Sequence, residues 1–337
     1  MRKNVLTWAS VVAAIVMGTL LSNWLPAQEK DKAETTFTNP AEAGPDFVFT
    51  GEYLGNASIE GQDTKIGAQV IALGDGKFEV VGYFGGLPGD GWSRGDRAVR
   101  HEGMKEGDKV VFKGDDGITS IVADKKITVL TGDGREVAVL DKQERVSPTM
   151  GAKPPSGAIV LFDGSSADAW KNGKIVMDKL LAADTETKQK FGDHTLHLEF
   201  RTPFKPYARG QARGNSGVYL QGRYELQVLD SFGLDGENNE CGGIYQIAKP
   251  IVNMCLPPLA WQTYDIEFTA AKYDEAGKKT APAKTTIKHN GVVIHDNLEL
   301  PKGTPGKNPE GPGPDVLYFQ GHGNPVVYRN VWIVEKK

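Results

Sequence analysis

The sequence predicts an all-β protein: a small β module over residues 45–147, followed by a β-sandwich or jelly roll over residues 157–336. Three observations predict it. Short runs rich in β-branched and aromatic residues recur along the chain, punctuated by tight turns of Gly, Asp and Asn. The longer runs alternate apolar and polar residues with a period of two. No alternation of strands with helices interrupts them, so hairpin-connected strands must close their edges on one another.

Arg2 and Lys3 precede an apolar run from Val11 to Leu21, and Leu25 to Ala27 offers a cleavage site before Gln28. This is the arrangement of a secretory signal peptide over residues 1–27. The run is shorter than the ~20 residues of a spanning helix, and no Cys follows it to accept a lipid. The expectation is an exported protein, periplasmic or secreted, without stable membrane insertion after cleavage. Residues 28–44 are charged, small and non-periodic, and read as a flexible linker. In the module, the runs 69–73 and 77–83 flank Gly74-Asp75-Gly76, and 127–130 and 136–140 flank Gly132-Asp133-Gly134. The Pro-rich stretch 148–156 reads as a second linker, expected to make few contacts.

Beyond it, Leu196, Leu198 and Phe200 share one face of a strand, and His197, Glu199 and Arg201 the other. Gly222-Arg223 and Asn290-Gly291 mark hairpins. Only residues 177–190 are compatible with a helix. The formal charge of −4, mixed in sign and without a basic stripe, argues against a nucleic-acid partner. It leaves a neutral ligand open.

Alternation also places Glu225 and Gln227 on one face of a strand, and Tyr318, Gln320 and His322 on one face of another. With aromatic walls from Tyr219, Tyr245 and Trp261, such faces suit a sugar, whose C–H faces stack on rings and whose hydroxyls need donors and acceptors. The expected arrangement puts Glu199, Arg201, Glu225 and His322 on the concave face of one sheet, with Arg201 holding both carboxylates ionised. Asp230 and Asp235, in an acidic loop, are oxygen donors of the kind Ca²⁺ takes, without the EF-hand spacing. A hydrated loop is the plainer reading, so a divalent cation such as Ca²⁺ is a weak expectation. Cys241 and Cys255 are the only cysteines, and one disulfide between them is expected for an oxidising compartment, with two buried thiols as the alternative.

The order of the landmarks narrows the reading. Leu161-Phe162-Asp163-Gly164 with Trp170, Leu198-Glu199-Phe200-Arg201, Gly214-Asn215-Ser216-Gly217-Val218-Tyr219, the run Tyr224 to Asp230, Trp261-Gln262-Thr263-Tyr264, Asn290-Gly291-Val292 and Gln320-Gly321-His322-Gly323 follow one another along residues 157–336. Together they resemble the 3-keto-disaccharide hydrolase domain, a family with a concanavalin-like (lectin-like) jelly roll. The module before residue 148 lies outside the resemblance. Inserts at 203–213, 272–284 and 301–314 depart from it and bear on the groove. The resemblance implies an exported enzyme acting on a 3-keto-glycoside, by proton abstraction and elimination with hydration or by hydrolysis. On that reading Glu225 or Glu199 is the base, Arg201 and His322 are stabiliser or acid, and Asn215, Tyr219, Gln227, Tyr245 and Gln320 hold substrate. A non-catalytic carbohydrate-binding module on the same sandwich is the alternative.

Overall fold

The computed structural model describes residues 32–336 except 60, 61, 115 and 116; the expected signal peptide and residues 28–31 lie outside the described residues. The first unit runs through β1 (Gly51–Ile59), β2 (Gln62–Gly74), β3 (Lys77–Phe84), β4 (Leu87–Pro88), β5 (Gly91–Trp92), β6 (Ala98–Glu106), β7 (Lys109–Lys113), β8 (Thr119–Ala123), β9 (Lys126–Leu130) and β10 (Glu136–Gln143). Eight of these strands close a barrel in the order β1-β10-β9-β8-β7-β6-β3-β2, while β4 and β5 pair only with each other. The β2–β3 hairpin turns through Asp75 and Gly76 at φ 53° and 70°. Two consecutive positive φ angles are what the Gly-Asp-Gly stretch supplies.

The second unit contains β11 (Ile159–Phe162), β12 (Trp170–Lys171), β13 (Ile175–Val176), β14 (Leu180–Ala182), β15 (Thr185–Thr187), β16 (His194–Arg201), β17 (Ser216–Leu220) and β18 (Tyr224–Val228). It continues with β19 (Gln262–Thr269), β20 (Lys272–Tyr273), β21 (Lys279–Ala281), β22 (Ala283–His289), β23 (Val292–Leu300), β24 (Tyr318–Phe319) and β25 (Val327–Glu335). The larger sheet has the order β13-β14-β25-β16-β19-β22-β23, with β11 also on β25; the smaller has the order β12-β15-β24-β17-β18. Their inner faces share one core, in which Leu196, Leu198 and Phe200 of the larger sheet meet Val218, Leu226 and Val228 of the smaller. Tyr264 crosses that core and donates to the Gln227 carbonyl at 2.8 Å. This is the all-β sandwich that alternation predicts.

Four expectations are corrected. Residues 177–190 form β14 and β15 rather than a helix, because Met177, Asp178 and Asp184 stand at positive φ and break the helical path. Among residues 28–44, the described part is not a loose linker: Phe37 pairs with Phe204 in a β-bridge and their rings lie 6.0 Å apart. The stretch 148–156 is equally engaged. Thr149 Oγ1 donates to Asp265 Oδ2 and the Gly151 amide to Glu199 Oε1, both at 2.6 Å, while Ala152 O accepts from Asn330 and Trp332. Proline content described its stiffness and said nothing about the polar face it lies on.

Cys241 and Cys255 are free, fully buried thiols, so the expected disulfide is not formed. Cys241 Sγ lies 3.2 Å from Tyr264 Oη, and Cys255 Sγ faces the carbonyls of Leu229 and Leu256. The Gly- and Pro-containing segment between them is ordered instead by Asn253, whose Nδ2 donates to the carbonyls of Ser231 and Leu234.

Barrel and sandwich are docked. Ile71, Val81 and Tyr83 on the barrel's outer surface belong to the sandwich core. Arg94 donates to the carbonyls of Gly236, Pro250 and Ile251, and Arg100 pairs with Asp235 at 2.8 Å.

Candidate functional site

The four residues expected on one face are separated: two lie on the larger sheet, one on the smaller, and His322 follows β24 outside any strand. Glu199 and Arg201 belong to β16 of the larger sheet, whereas Glu225 belongs to β18 of the smaller. Each lies on the outer side of a strand whose other side fills the core, so the whole thickness of the sandwich separates them. The common-face expectation fails here. Alternation identified the polar side of each strand correctly but could not tell which sheet each strand joins.

On the smaller sheet, β18 pairs with β17 and β17 with β24, which brings Glu225 opposite Tyr219 and Tyr219 opposite Tyr318. Tyr219 Oη donates to Glu225 Oε2 at 2.8 Å, and Gln320 Nε2 donates to Tyr219 Oη at 3.0 Å. Glycine at 217 makes room for them. A Cβ there would stand 2.5 Å from Glu225 Oε1 and 3.1 Å from Gln320 Oε1, so both oxygens converge over its bare backbone. Among the described residues Gln320 Oε1 and Asn215 Oδ1 are buried without a hydrogen-bond partner, a state that polar groups seldom keep unless something else is to fill it. Gln211 joins the set, accepting from Asn215 Nδ2 at 3.0 Å and Gln227 Nε2 at 3.1 Å.

The edge strand β18 is covered on its free side. The Tyr245 amide donates to Glu225 O, and the Glu225 amide donates to Thr304 Oγ1 at 2.9 Å. Gly306 lies so close to the Tyr219 hydroxyl that a Cβ would overlap it. Beneath this cover Glu225 is 3% exposed. Burial raises its pKa to about 7, and the Tyr219 hydrogen bond only partly opposes the rise. Among the described residues no cation pairs with it. His322, by contrast, sits exposed on the turn after β24, and among the described residues no contact joins it to Glu225.

Glu199 lives under the opposite regime. Burial raises its pKa, but the His197 ring 3.9 Å away and hydrogen bonds from Asn330, the Gly151 amide and Arg329 outweigh this and bring it down to about 2. The Arg329 Nε contact is 2.6 Å. His197 in turn places Nδ1 2.6 Å from Asp265 Oδ1 and stacks on Trp332. Arg201 has Trp261 under its guanidinium at 5.1 Å and holds neither glutamate; Trp261 thus walls the Glu199 side rather than the Glu225 side. The hydrogen-bond donors to Glu199 also hold residues 149–152: the Gly151 amide belongs to that stretch, Asn330 donates to Ala152 O, and Arg329 Nη2 reaches Met150 Sδ at 3.4 Å, which makes the cluster a clamp.

The two acidic-loop candidates point apart. Asp230 is buried against Arg213 at 2.6 Å and Asp235 is turned to Arg100, so neither points into a shared cage. Among the described residues no group of three His, Cys, Asp or Glu side chains converges on a metal position. Trp261-Gln262-Thr263-Tyr264 and Asn290 serve the scaffold, since Asn290 Oδ1 accepts from the Thr263 amide. Gln211, Arg213 and Thr304 escaped notice because they lie in inserts without periodicity. Gly217 left a signal: glycine inside an alternating strand marks a close approach.

Residues 157–334 match the family model described as a 3-keto-alpha-glucoside-1,2-lyase-like domain. A crystal structure from Parabacteroides distasonis, provisionally named a glycosyl hydrolase, is similar at 33% identity with a TM-score of 0.50, covering 54% of this chain and 85% of that one. A second from the same organism, named likewise, has 17% identity and a TM-score of 0.39 over 54% of this chain and 94% of that one. No curated protein matches. Because that one model matches more than half of its 337 residues, the chain belongs to the 3-keto-alpha-glucoside-1,2-lyase-like domain family.

Proposed function

We propose that the sandwich is a carbohydrate-active enzyme domain that cleaves the glycosidic bond of a 3-keto-glycoside, with Glu225 as its base. The observation that carries this reading is a desolvated carboxylate held near neutral pKa, with one oxygen on Tyr219 and the other turned over the open backbone of Gly217. A base titrating near the working pH combines the deprotonated state with useful basicity. The family match and the similarity to a glycosyl hydrolase support the substrate class.

A ketone at C3 acidifies the hydrogen at C2. Glu225 takes that proton, the electron pair left on C2 is delocalised onto the C3 oxygen, and its return expels the substituent from C1 with the glycosidic oxygen. Water then adds to the resulting enone. Tyr219 holds the carboxylate, while Gln320 Oε1 and Asn215 Oδ1 are free to accept from sugar hydroxyls. His322, beyond Gln320, is the proposed acid for the leaving oxygen, replacing Arg201, which lies on the other sheet. The cover over Glu225 has to swing aside on binding, with Thr304 releasing the Glu225 amide. Export to the periplasm or medium belongs to the same proposal, and a purified native chain beginning at Gln28 would support it.

The test is turnover of a 3-keto-glucoside and of its unoxidised parent, with and without chelator. Only the ketosugar should be cleaved, and Glu225→Gln should bind it without turning it over. The chelator arm decides whether a divalent cation assists the enolate. The closed cover favours a second reading, a non-catalytic carbohydrate-binding module. Saturable binding of the ketosugar without cleavage, at any metal level, would establish that reading instead.

A further inference from the structure

We propose that the N-terminal barrel is itself a binding site, for a small amphiphile with an apolar body and one anionic group. The inference stands independently of the chemistry assigned to the sandwich. An eight-stranded barrel is just wide enough for side chains to fill or for one small ligand to occupy. Here the two ends differ. Toward one end Tyr53, Phe78 and Phe112 fill the interior, and Gly103 exists to admit the Phe112 ring. Toward the other, the small residues Ala57, Ala68, Gly82, Ser120 and Ala138 stand among larger ones such as Ile66, Val80 and Val129, and a cavity of about 540 Å³ remains. That volume falls inside the range of roughly 300–1,000 Å³ typical of small-molecule sites.

The cavity is lined mainly by aliphatic side chains, the buried Ile127 and Leu140 among them, and no carboxylate stands among its described lining residues. Aliphatic walls of this extent offer dispersion contacts to an apolar ligand. The polar groups gather toward the strand ends at its mouth: Arg97 where β6 begins, His101 two strand positions deeper, and Thr131 after β9. Arg97 lies with its guanidinium 4.2 Å from the Phe84 ring centroid and has no ion-pair partner among the described residues. Asp133, the acid nearest in sequence to Thr131, is turned onto Thr131 and the Arg135 amide. A cation at the mouth above an aliphatic funnel is complementary to a carboxylate on an alkyl or ring-shaped body.

Titration calorimetry of the full chain with decanoate, below its micellar concentration, and with decanol tests this. Decanoate should bind saturably at one site per chain and about tenfold more tightly than decanol. Arg97→Gln should abolish that difference while leaving decanol unchanged, and Ala138→Phe should weaken both ligands by about tenfold or more by filling the cavity. If Ala138→Phe does not fold by circular dichroism, Ser120→Phe at the cavity wall makes the same test. Failure of both probes to bind, or filled variants that bind like the wild type, would overturn the site. Equal affinity for decanol and decanoate would overturn its anionic preference.

Discussion

Glu199 and Glu225 are both almost wholly buried, on the outer sides of opposite sheets, and their protons behave in opposite ways. Glu199 is brought to about 2 and Glu225 is raised to about 7 from the same ordinary value of 4.5. Burial acts on both in the same direction. The difference is compensation: Glu199 accepts from Asn330, the Gly151 amide and Arg329, whereas Glu225 receives one hydroxyl. A buried carboxylate with its donors satisfied is a strut; one left short of donors titrates near neutral pH, as the proposed base must.

Activity separates them most. Glu225→Gln should lower turnover of a 3-keto-glucoside by about 10²–10⁴-fold, the share of a general base. Glu199→Gln should leave turnover of the folded enzyme within about threefold, since on the proposed reading it lies on the sheet away from the substrate. Equal losses would erase the distinction.

Stability reverses the order. Glu199 has a folded pKa below its unfolded value, so its contribution is present above pH 4.5 and is lost as pH falls toward about 2. Glu199→Gln should therefore cost about 3 kcal/mol near pH 7, with the deficit shrinking in acid. Urea melts across pH measure it. Glu225 works the other way. Its folded pKa lies above the unfolded one, so the native state keeps a proton the unfolded chain has lost, and stability declines as pH rises from 4.5 to about 7. Glu225→Gln should match the wild type in stability below pH 4.5 and exceed it above pH 7, by at most about 3 kcal/mol. A variant less stable than wild type at pH 8 would break the comparison.

Two smaller effects sharpen it. Gly217→Ala should push Glu225 Oε1 from its place and lower turnover by about tenfold with little change in melting. Thr149→Val removes the hydroxyl bonded to Asp265 and should cost about 1 kcal/mol, with no effect on turnover. A catalytic loss from Thr149→Val would show that the clamp is coupled to the far sheet.

Much of the site was legible strand by strand. Period-two alternation identified Glu225, Gln227, Tyr219 and Gln320 as one polar set, and the register of β17, β18 and β24 brings them together. The same reasoning wrongly joined Glu199, Arg201 and Trp261 to them. A strand's polar face is a local property, while its sheet depends on partners far along the chain: β16 finds β25 and β19, and β18 finds β17. Gln211, Arg213 and Thr304 were invisible because loops without periodicity receive their roles only from what they pack against.

The sequence alone determined the all-β class, the hairpins at Gly74 to Gly76 and at Asn290-Gly291, the family, and the polar side of each strand. These follow from short-range causes, namely steric limits on φ, side-chain alternation and turn chemistry. Only the tertiary structure decided which glutamate is starved of donors, that the two cysteines are unbridged, that residues 149–152 are clamped, and that one end of the barrel keeps a cavity. Each of these depends on groups brought together from distant positions, where desolvation and hydrogen bonding, not local pattern, set the outcome.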